Sequence, residues 1–266
     1  MTEIYTLGID IGSTASKAVL MKNGQEIVAK EVVFLGTGTE GAEKVIEKLF
    51  ESSSLGWDDI AFTVATGYGR NTYSDADDQV SEISCHAKGA AFLHPMVKTV
   101  IDIGGQDAKV MKIGENGKMT NFLMNDKCAA GTGRFLEVMS RVLNIPIEEF
   151  SDRSKQSTKP VEISSTCTVF AETEVISYLA NAVSREDILA GVHRSIANRV
   201  AALAHRIGVE EEVLLTGGVA HDEGIITALE EVLKTKVYKN EYCQLNGAIG
   251  AAIYAFQFYE EENEVE

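Results

Sequence analysis

Two aspartates and two lysines recur in this sequence with one spacing. The tetrapeptide Ile-Asp-Ile-Gly occurs at residues 9–12 and again at 101–104, and a lysine follows each copy at the same distance, Lys17 and Lys109. Each copy ends a β-branched apolar run and enters a turn of small residues, a pattern typical of a strand–turn–strand hairpin. Backbone N–H groups in such a turn can approach a phosphate oxygen, and an aspartate at the strand end suits hydrated Mg²⁺. The repeat predicts a clamp for a nucleotide polyphosphate, with the two aspartates at the Mg²⁺ ion.

The two halves of the chain share more than these hairpins. A strand at 60–65 leads into Thr66 and Gly67, and a strand at 213–215 leads into a Thr-Gly-Gly turn. A helical segment with a glycine and alanine patch follows each turn, which suits either paired hinge helices or ordinary helix packing. The repeat predicts an α/β fold of two lobes with a nucleotide cleft between them, at the carboxyl ends of the strands.

Lobe I is predicted to comprise residues 1–94, completed by a C-terminal helix at 246–260, and lobe II to comprise residues 95–245. From aspartate to threonine the first half spans 56 residues and the second spans 114, an excess of 58. Both Cys128 and Cys167 lie in this excess. We therefore expect the insertion to carry a function that the duplicated lobes lack.

The composition excludes several classes of protein. The chain has 266 residues, 45% of them hydrophobic, and only three prolines, which indicates globular domains rather than disorder. The net charge of −16 and the lack of a basic stripe argue against nucleic-acid binding. No apolar run approaches the roughly 20 residues of a membrane span, and the N-terminus lacks the basic region of a signal peptide. These features predict a cytoplasmic protein with an acidic, solubilising C-terminal tail.

Two of the four cysteines have distinctive surroundings. A disulfide framework is not expected in a cytoplasmic protein of this size. Apolar residues at helical spacing follow Cys128, over residues 129–143, and also follow Cys167. The serines and the threonine before Cys167 indicate a helix N-cap region, where a thiolate is favoured. From the residues alone, this pair fits buried thiols, zinc ligands or iron–sulfur ligands. Cys85 and Cys243 are interpreted as packing residues.

Several segments together resemble one family. They are residues 8–17, 65–70, 102–107, 125–135 and 164–172. These segments resemble the activator component of 2-hydroxyacyl-CoA dehydratases, a branch of the actin-like ATPase superfamily that also holds sugar kinases, acetate kinases and the seventy-kilodalton heat-shock chaperones. The resemblance covers nearly the whole chain except the acidic tail, and the two cysteine segments are its most specific part.

The resemblance implies two ribonuclease-H-like lobes that bind ATP or ADP with Mg²⁺. It implies a homodimer that holds one [4Fe–4S] cluster through Cys128 and Cys167 of each subunit. It also implies that ferredoxin or flavodoxin donates an electron, which ATP hydrolysis drives onward to a separate dehydratase component. That dehydratase removes water from a 2-hydroxyacyl-CoA, whose identity this chain need not encode.

Individual roles follow from the same resemblance. Asp10 and Asp102 position the Mg²⁺, and Glu82 orients the attacking water, unless it is a solvated helix glutamate. The nucleotide-binding residues are Gly12, Ser13, Thr14, Ala15, Ser16 and Lys17 in the first hairpin, Gly104, Gly105 and Gln106 in the second, and Gly217, Gly218 and Gln244 at the adenosine.

Three rival functions remain open from the sequence. An ATPase component of a benzoyl-CoA-reductase-like complex has a similar clamp and cluster and differs in its partner chains. A small-molecule kinase of the same superfamily does not need the two cysteines for its reaction. In an ATP-gated scaffold the two cysteines would be packing residues only. Anaerobic iron and sulfide analysis separates the last two from the activator.

Overall fold

The computed structural model of the chain describes residues 3–263. Glu264 and Glu266 of the predicted acidic tail lie outside this range. The strands within it are β1 (Tyr5–Ile11), β2 (Ser16–Lys22), β3 (Glu26–Val33), β4 (Ile60–Thr66), β5 (Asp78–Gln79), β6 (Thr99–Ile103), β7 (Ala108–Ile113), β8 (Met119–Asn125), β9 (Val213–Thr216) and β10 (Val237–Lys239). The helices are α1 (Gly41–Ser53), α2 (Glu82–Leu93), α3 (Gly133–Leu143), α4 (Phe150–Ser154), α5 (Thr168–Ala180), α6 (Arg185–Ile207), α7 (Glu223–Leu233) and α8 (Asn246–Asn263).

The strands form two five-stranded sheets with the same order. The first sheet runs β3-β2-β1-β4-β5 and the second β10-β9-β6-β7-β8, so β1 and β6 are the central strands. Each central strand pairs antiparallel with the strand that follows it and parallel with β4 or β9. In the hairpins Asp10 lies opposite Lys17 and Asp102 opposite Lys109. The predicted duplication of an α/β hairpin unit is therefore confirmed.

The chain divides into two compact units. The first contains residues 3–96, 113–119 and 244–263, and the second contains residues 97–112 and 120–243. Residues 113–119 thus group with the first unit, although the sequence placed them in lobe II. The reason is local, because Gly117, with φ +69°, turns this segment so closely onto α2 that a Cβ at Gly117 would lie 2.5 Å from the Ala91 methyl. The lobe boundaries themselves stay a prediction.

In the first unit, helices α2 and α8 pack backbone to backbone. A Cβ at Gly250 of α8 would lie 1.8 Å from the Cys85 carbonyl oxygen, and one at Gly89 of α2 would lie 2.1 Å from the Asn246 carbonyl oxygen. Helix α8 approaches β1 in the same way, at Gly8. The small-residue patches therefore permit a close approach that no side chain allows. A hinge role for the two helices stays a prediction.

The predicted insertion forms helices α3 to α6 in the second unit. Phe135, Met139, Val175 and Ile196 from three of these helices are buried in one core with Leu215 of β9. The insertion is thus continuous with the core of the duplicated sheet.

The helix after Cys128 begins four residues later than the sequence indicated. The pattern predicted a helix from Ala129, but α3 begins at Gly133. Gly131 has φ +117° and Thr132 is extended, with its N–H and its hydroxyl both bonded to the Ala129 carbonyl oxygen. Because these dihedrals are not helical, Cys128 lies in a loop directly before the turn at residues 129–132.

No helix among residues 3–263 is both long enough and apolar enough to cross a membrane.

Candidate functional site

The first hairpin turn carries a buried ion pair. Asp10, at 2% exposure, accepts a 3.0 Å hydrogen bond at Oδ2 from Lys17 Nζ. Its other oxygen, Oδ1, is buried and has no hydrogen-bond donor among residues 3–263. The turn itself is closed by the Gly12 N–H to the Ala15 carbonyl and is supported by the Thr37 N–H, which donates to the Gly12 carbonyl. A buried acceptor without a donor is costly unless water or a cation satisfies it, so Asp10 fits a hydrated Mg²⁺.

The second hairpin repeats this chemistry with a variation. Lys109, at 1% exposure, lies 2.7 Å from Asp107 Oδ2 and 3.5 Å from Asp102 Oδ2. Asp102 Oδ1 accepts a 2.7 Å hydrogen bond from the Thr216 hydroxyl. The Gly104 N–H closes the turn onto the Asp107 carbonyl. One buried lysine compensates only part of the charge of two carboxylates, so the turn keeps a net negative charge that suits a cation such as hydrated Mg²⁺.

A glycine that directly follows the neighbouring parallel strand, β4 or β9, lies against each hairpin. Gly67 has φ +84°, and a Cβ there would lie 2.6 Å from the Ile11 carbonyl oxygen and 2.5 Å from Asp10 Oδ1. Gly217 has φ +88°, and a Cβ there would lie 2.2 Å from the Ile103 carbonyl oxygen. Both the positive φ and the lack of room for a Cβ require glycine at these two positions. The two glycines occupy equivalent places in the two sheets.

Glu82 begins helix α2, and Gln244 lies in the 3-10 turn directly before α8. Glu82 is the first residue of α2, its side chain is 17% exposed, and its Oε1 lies 3.9 Å from Nε2 of buried His86. This burial does not match a fully solvated glutamate. The residue before Gln244, Cys243, accepts a 2.9 Å backbone hydrogen bond from the Gly217 N–H. The glycine turn after β9 is therefore bonded to the segment that ends at Cys243, and the adenosine role of Gln244 stays a prediction.

Cys128 lies in a loop and forms two hydrogen bonds with neighbouring segments. Asn125 Nδ2, at the end of β8, donates a 3.2 Å hydrogen bond to the Cys128 carbonyl oxygen. The Cys128 thiol, 3.6 Å from the Thr166 carbonyl oxygen, donates to it. Thr166 directly precedes Cys167, so the structure brings together the two cysteines that the sequence singled out.

Cys167 is the N-cap residue of α5 and is exposed. The segment before it is held by Glu174 of the same helix, which accepts hydrogen bonds from the N–H groups of Ser164 and Ser165. Burial raises the pKa of Glu174, but these hydrogen bonds outweigh it and the net pKa is lowered. Cys85 and Cys243, by contrast, are buried. The exposed helix start leaves the Cys167 sulfur accessible to a ligand.

Sequence reasoning missed several residues at this site. Thr37 supports the first turn, Thr216 bonds Asp102, and Arg199 of α6 donates to the Thr166 carbonyl oxygen at 3.1 Å. Thr216 was visible in the repeated Thr-Gly motif, since it occupies the place of Thr66. Nothing in the sequence indicated Arg199, because it lies more than thirty residues along the chain from the segment it contacts.

The chain belongs to the BadF/BadG/BcrA/BcrD ATPase family, whose model matches residues 7–255. It is 56% identical over 254 residues to the activator of lactoyl-CoA dehydratase of Anaerotignum propionicum, covering 96% of this chain and 98% of that one. It is 55% identical over 255 residues to the (R)-2-hydroxyglutaryl-CoA dehydratase activating ATPase of Acidaminococcus fermentans, covering 96% and 98%. The structure of the 2-hydroxyisocaproyl-CoA dehydratase activator from Clostridium difficile with bound ADPNP matches with a TM-score of 0.96 at 52% identity, covering 99% and 98%. The predicted family, ATPase class and fold class are confirmed.

Two more distant likenesses bear on the rival functions. One of the subunits of the benzoyl-CoA reductase of Thauera aromatica is 34% identical over 260 residues, covering 94% of this chain and 92% of that one. A ROK family glucokinase of Streptomyces griseus has a TM-score of 0.60 at 16% identity, covering 95% and 99%, which shows the shared fold alone.

Proposed function

We propose that this chain is an ATP-dependent activator of a 2-hydroxyacyl-CoA dehydratase, which passes one low-potential electron from a [4Fe–4S] cluster to the dehydratase. The observation that carries the proposal is the contact of the Cys128 thiol with the residue before Cys167, in a chain similar to three such activators. ATP binding at the hairpins and a thiol pair in the insertion are the two parts that such an activator needs.

The hairpin turns are the proposed ATP site. The unsatisfied Oδ1 of Asp10 supports a role as ligand of Mg²⁺-bound water, and Asp102 has the equivalent place in the second sheet. Lys17 and the backbone N–H groups of residues 13–15 bind phosphate oxygens, as do those of Gly105 and Gln106, while the N–H groups of Gly12 and Gly104 close the two turns. Gly217 and Gly218 give room for the adenosine, with Gln244 beside it.

Glu82 is the proposed residue that orients the water for hydrolysis. It stands at the start of α2, largely buried, with His86 one turn later on the same helix. A carboxylate in such a place can accept a hydrogen bond from the attacking water and align it with the phosphate.

The donor set at the insertion fits an iron–sulfur cluster. Cys128 and Cys167 each present a thiol that is not fully buried, on neighbouring segments. The bound cluster would supply a one-electron carrier whose potential depends on net charge, hydrogen bonds to sulfur and solvent exposure. The chain's own contribution is to hold the two sulfurs at one edge of the second unit.

Two thiolates are half of the usual four-cysteine set, so the proposal includes a homodimer that shares one cluster. Val169 and Phe170, directly after Cys167, are 65% and 67% exposed, and Ile176 on the same helix is 51% exposed. Exposed large apolar side chains next to a ligand residue favour a protein partner at this place. We assign that contact to a second copy of this chain, with the dehydratase component and a ferredoxin or flavodoxin as further cytoplasmic partners.

Anaerobic purification followed by iron analysis, paramagnetic-resonance spectroscopy and a dehydratase activation assay tests the proposal. The expected result is a brown dimer with about four irons per two chains that activates a dehydratase only with ATP and Mg²⁺. A colourless, iron-free monomer after anaerobic reconstitution would contradict it, and phosphorylation of a sugar would favour the kinase instead. Co-purification with the chains of a benzoyl-CoA reductase would favour the more distant ATPase role.

A further inference from the structure

Arg199 of α6 reaches the segment that carries Cys167. Its Nη1 donates a 3.1 Å hydrogen bond to the Thr166 carbonyl oxygen, and its Nη2 donates to the Ser165 carbonyl oxygen. A planar guanidinium can donate two parallel hydrogen bonds, which fixes orientation as well as distance. One side chain therefore holds the two residues that precede Cys167.

The same side chain packs against the segment that carries Cys128. The Arg199 guanidinium carbon lies 5.6 Å from the centre of the Phe135 ring in α3, a cation–π arrangement. At Gly131, in the turn after Cys128, a Cβ would lie 3.6 Å from the Arg199 Cβ. Arg199 thus contacts both cysteine-bearing segments from a third helix.

Arg199 also interacts electrostatically with both cysteines. Burial lowers the pKa of the guanidinium, while the negative charges of Cys128 and Cys167 act in the opposite direction and favour the charged form. When the two cysteines bind a cluster as thiolates, a half-buried cation beside them compensates part of the negative charge, and charge compensation favours the reduced, more negative state of the cluster.

We propose that Arg199 is a positioning residue, which holds Cys128 and Cys167 at the spacing a shared cluster needs and whose charge raises the cluster's reduction potential. The inference deepens the proposed function and rests on it. The cysteines remain the ligands, and Arg199 acts through the backbone before Cys167 and through its charge.

The test compares Arg199→Met, Arg199→Lys and Arg194→Met in the full-length chain. Methionine keeps the length and the apolar packing but removes the donors and the charge, whereas lysine keeps the charge and loses the paired donors. Arg194 is a matched control, since it lies on the same helix and forms its ion pair with exposed Glu231, at 3.3 Å. The measurements are iron release to a chelator, midpoint potential, and amide exchange of residues 164–170 in the iron-free protein.

Arg199→Met should release iron about tenfold faster, the equivalent of one lost charge-assisted hydrogen bond, and should shift the potential to a more negative value. Arg199→Lys should restore the potential but only part of the iron retention, and Arg194→Met should match the wild type. Faster exchange at residues 164–170 in iron-free Arg199→Met, with unchanged exchange in β1 and β4, supports the backbone tie without any cluster. Unchanged iron release, potential and exchange in Arg199→Met would overturn the inference. A wild-type protein that takes up no iron would instead refute the proposed function. In that case the exchange measurement alone decides whether Arg199 holds the segment before Cys167.

Discussion

The N–H of Gly133, the first residue of α3, donates a 2.9 Å hydrogen bond to the carbonyl oxygen of Gly104 in the second hairpin turn. The next N–H, of Arg134, donates at 2.8 Å to the Gly105 carbonyl oxygen. The proposed phosphate turn and the helix that follows Cys128 therefore share backbone hydrogen bonds. A shift of one by the length of a hydrogen bond must displace the other or break the contact.

Gly133→Pro should weaken the response of the iron site to nucleotide. Proline is tolerated at the first position of a helix and needs an extended residue before it, which Thr132 is, so the variant removes the N–H and preserves the helix start. We expect wild-type iron content but a smaller ATP-induced change in the paramagnetic-resonance spectrum. Gly133→Ala is the control, because it keeps the N–H and its Cβ would find its nearest neighbour at 3.4 Å. An undiminished ATP response in Gly133→Pro would count against this route.

Cys128→Ser and Cys167→Ser should each abolish the brown chromophore and dehydratase activation while leaving a folded chain that binds nucleotide. A serine hydroxyl is a poor replacement for a thiolate ligand of iron. Burial raises the pKa of Cys85 to about 12, so this thiol stays neutral, and Cys85→Ala serves as the matched control that keeps its iron. Full iron content in either serine variant, measured after anaerobic reconstitution, refutes the ligand assignment.

Asp10→Asn should retain the cluster and lose ATP-driven activation. The amide cannot replace the charge that Asp10 offers to a magnesium ion and to Lys17. The measurement is calorimetric titration with ATP in the presence of Mg²⁺, with an expected loss of at least tenfold in affinity, about 1.4 kcal/mol. Asp58→Asn, at an exposed aspartate, is the control and should bind as the wild type does. Activation that survives unchanged in Asp10→Asn means the Mg²⁺ assignment is wrong.

Gly250→Ala should destabilise the first unit strongly. Its Cβ would lie 1.8 Å from a backbone carbonyl oxygen of α2, so the helix must move, at a cost of about 1–3 kcal/mol. Urea unfolding measures the loss. At Gly56 a Cβ would meet nothing within 4 Å, so Gly56→Ala should unfold near the wild-type midpoint. Equal midpoints for the two variants would show that α2 and α8 are not packed as described.

Asp187 should contribute to stability at neutral pH but not in acid. The Ser157 hydroxyl donates to it at 2.7 Å, and this hydrogen bond with those of Lys159, Ser184 and Thr158 lowers its pKa to about 2. Because the pKa in the folded chain lies below the unfolded value of about 3.9, its stabilisation is present above that value and is lost as the pH falls toward 2. Thermal unfolding of Asp187→Asn should therefore differ from the wild type near neutral pH, and the difference should shrink in acid. A constant difference at all pH values would contradict this linkage.

The sequence predicted the elements whose signal is local. Both hairpins were predictable because Asp10 and Asp102 end β-branched runs beside small turn residues, and this signal occurs twice. The third strand of each sheet, β3 and β8, was not recognised, because these outer strands are partly exposed and lack a long buried run.

The cysteine site was predictable in its residues but not in its geometry. Helical spacing begins at Ala129, but the left-handed Gly131 delays the helix to Gly133, and no periodicity records such a dihedral. The link from Arg199 to Thr166 joins segments that are distant in the chain, and only the folded core brings them together. Individual roles at the nucleotide site likewise rest on the family rather than on spacing.

Helices α3 to α6 occupy the connection from β8 to β9, whereas the matching connection from β3 to β4 holds the single helix α1. Neither sheet changes its strand order to accommodate this difference. The proposed cluster site thus lies within one lengthened connection of the repeat, and no strand is rethreaded. Because Cys128 and Cys167 both lie in this one connection, the proposed iron site depends on a segment that has no counterpart in the first sheet.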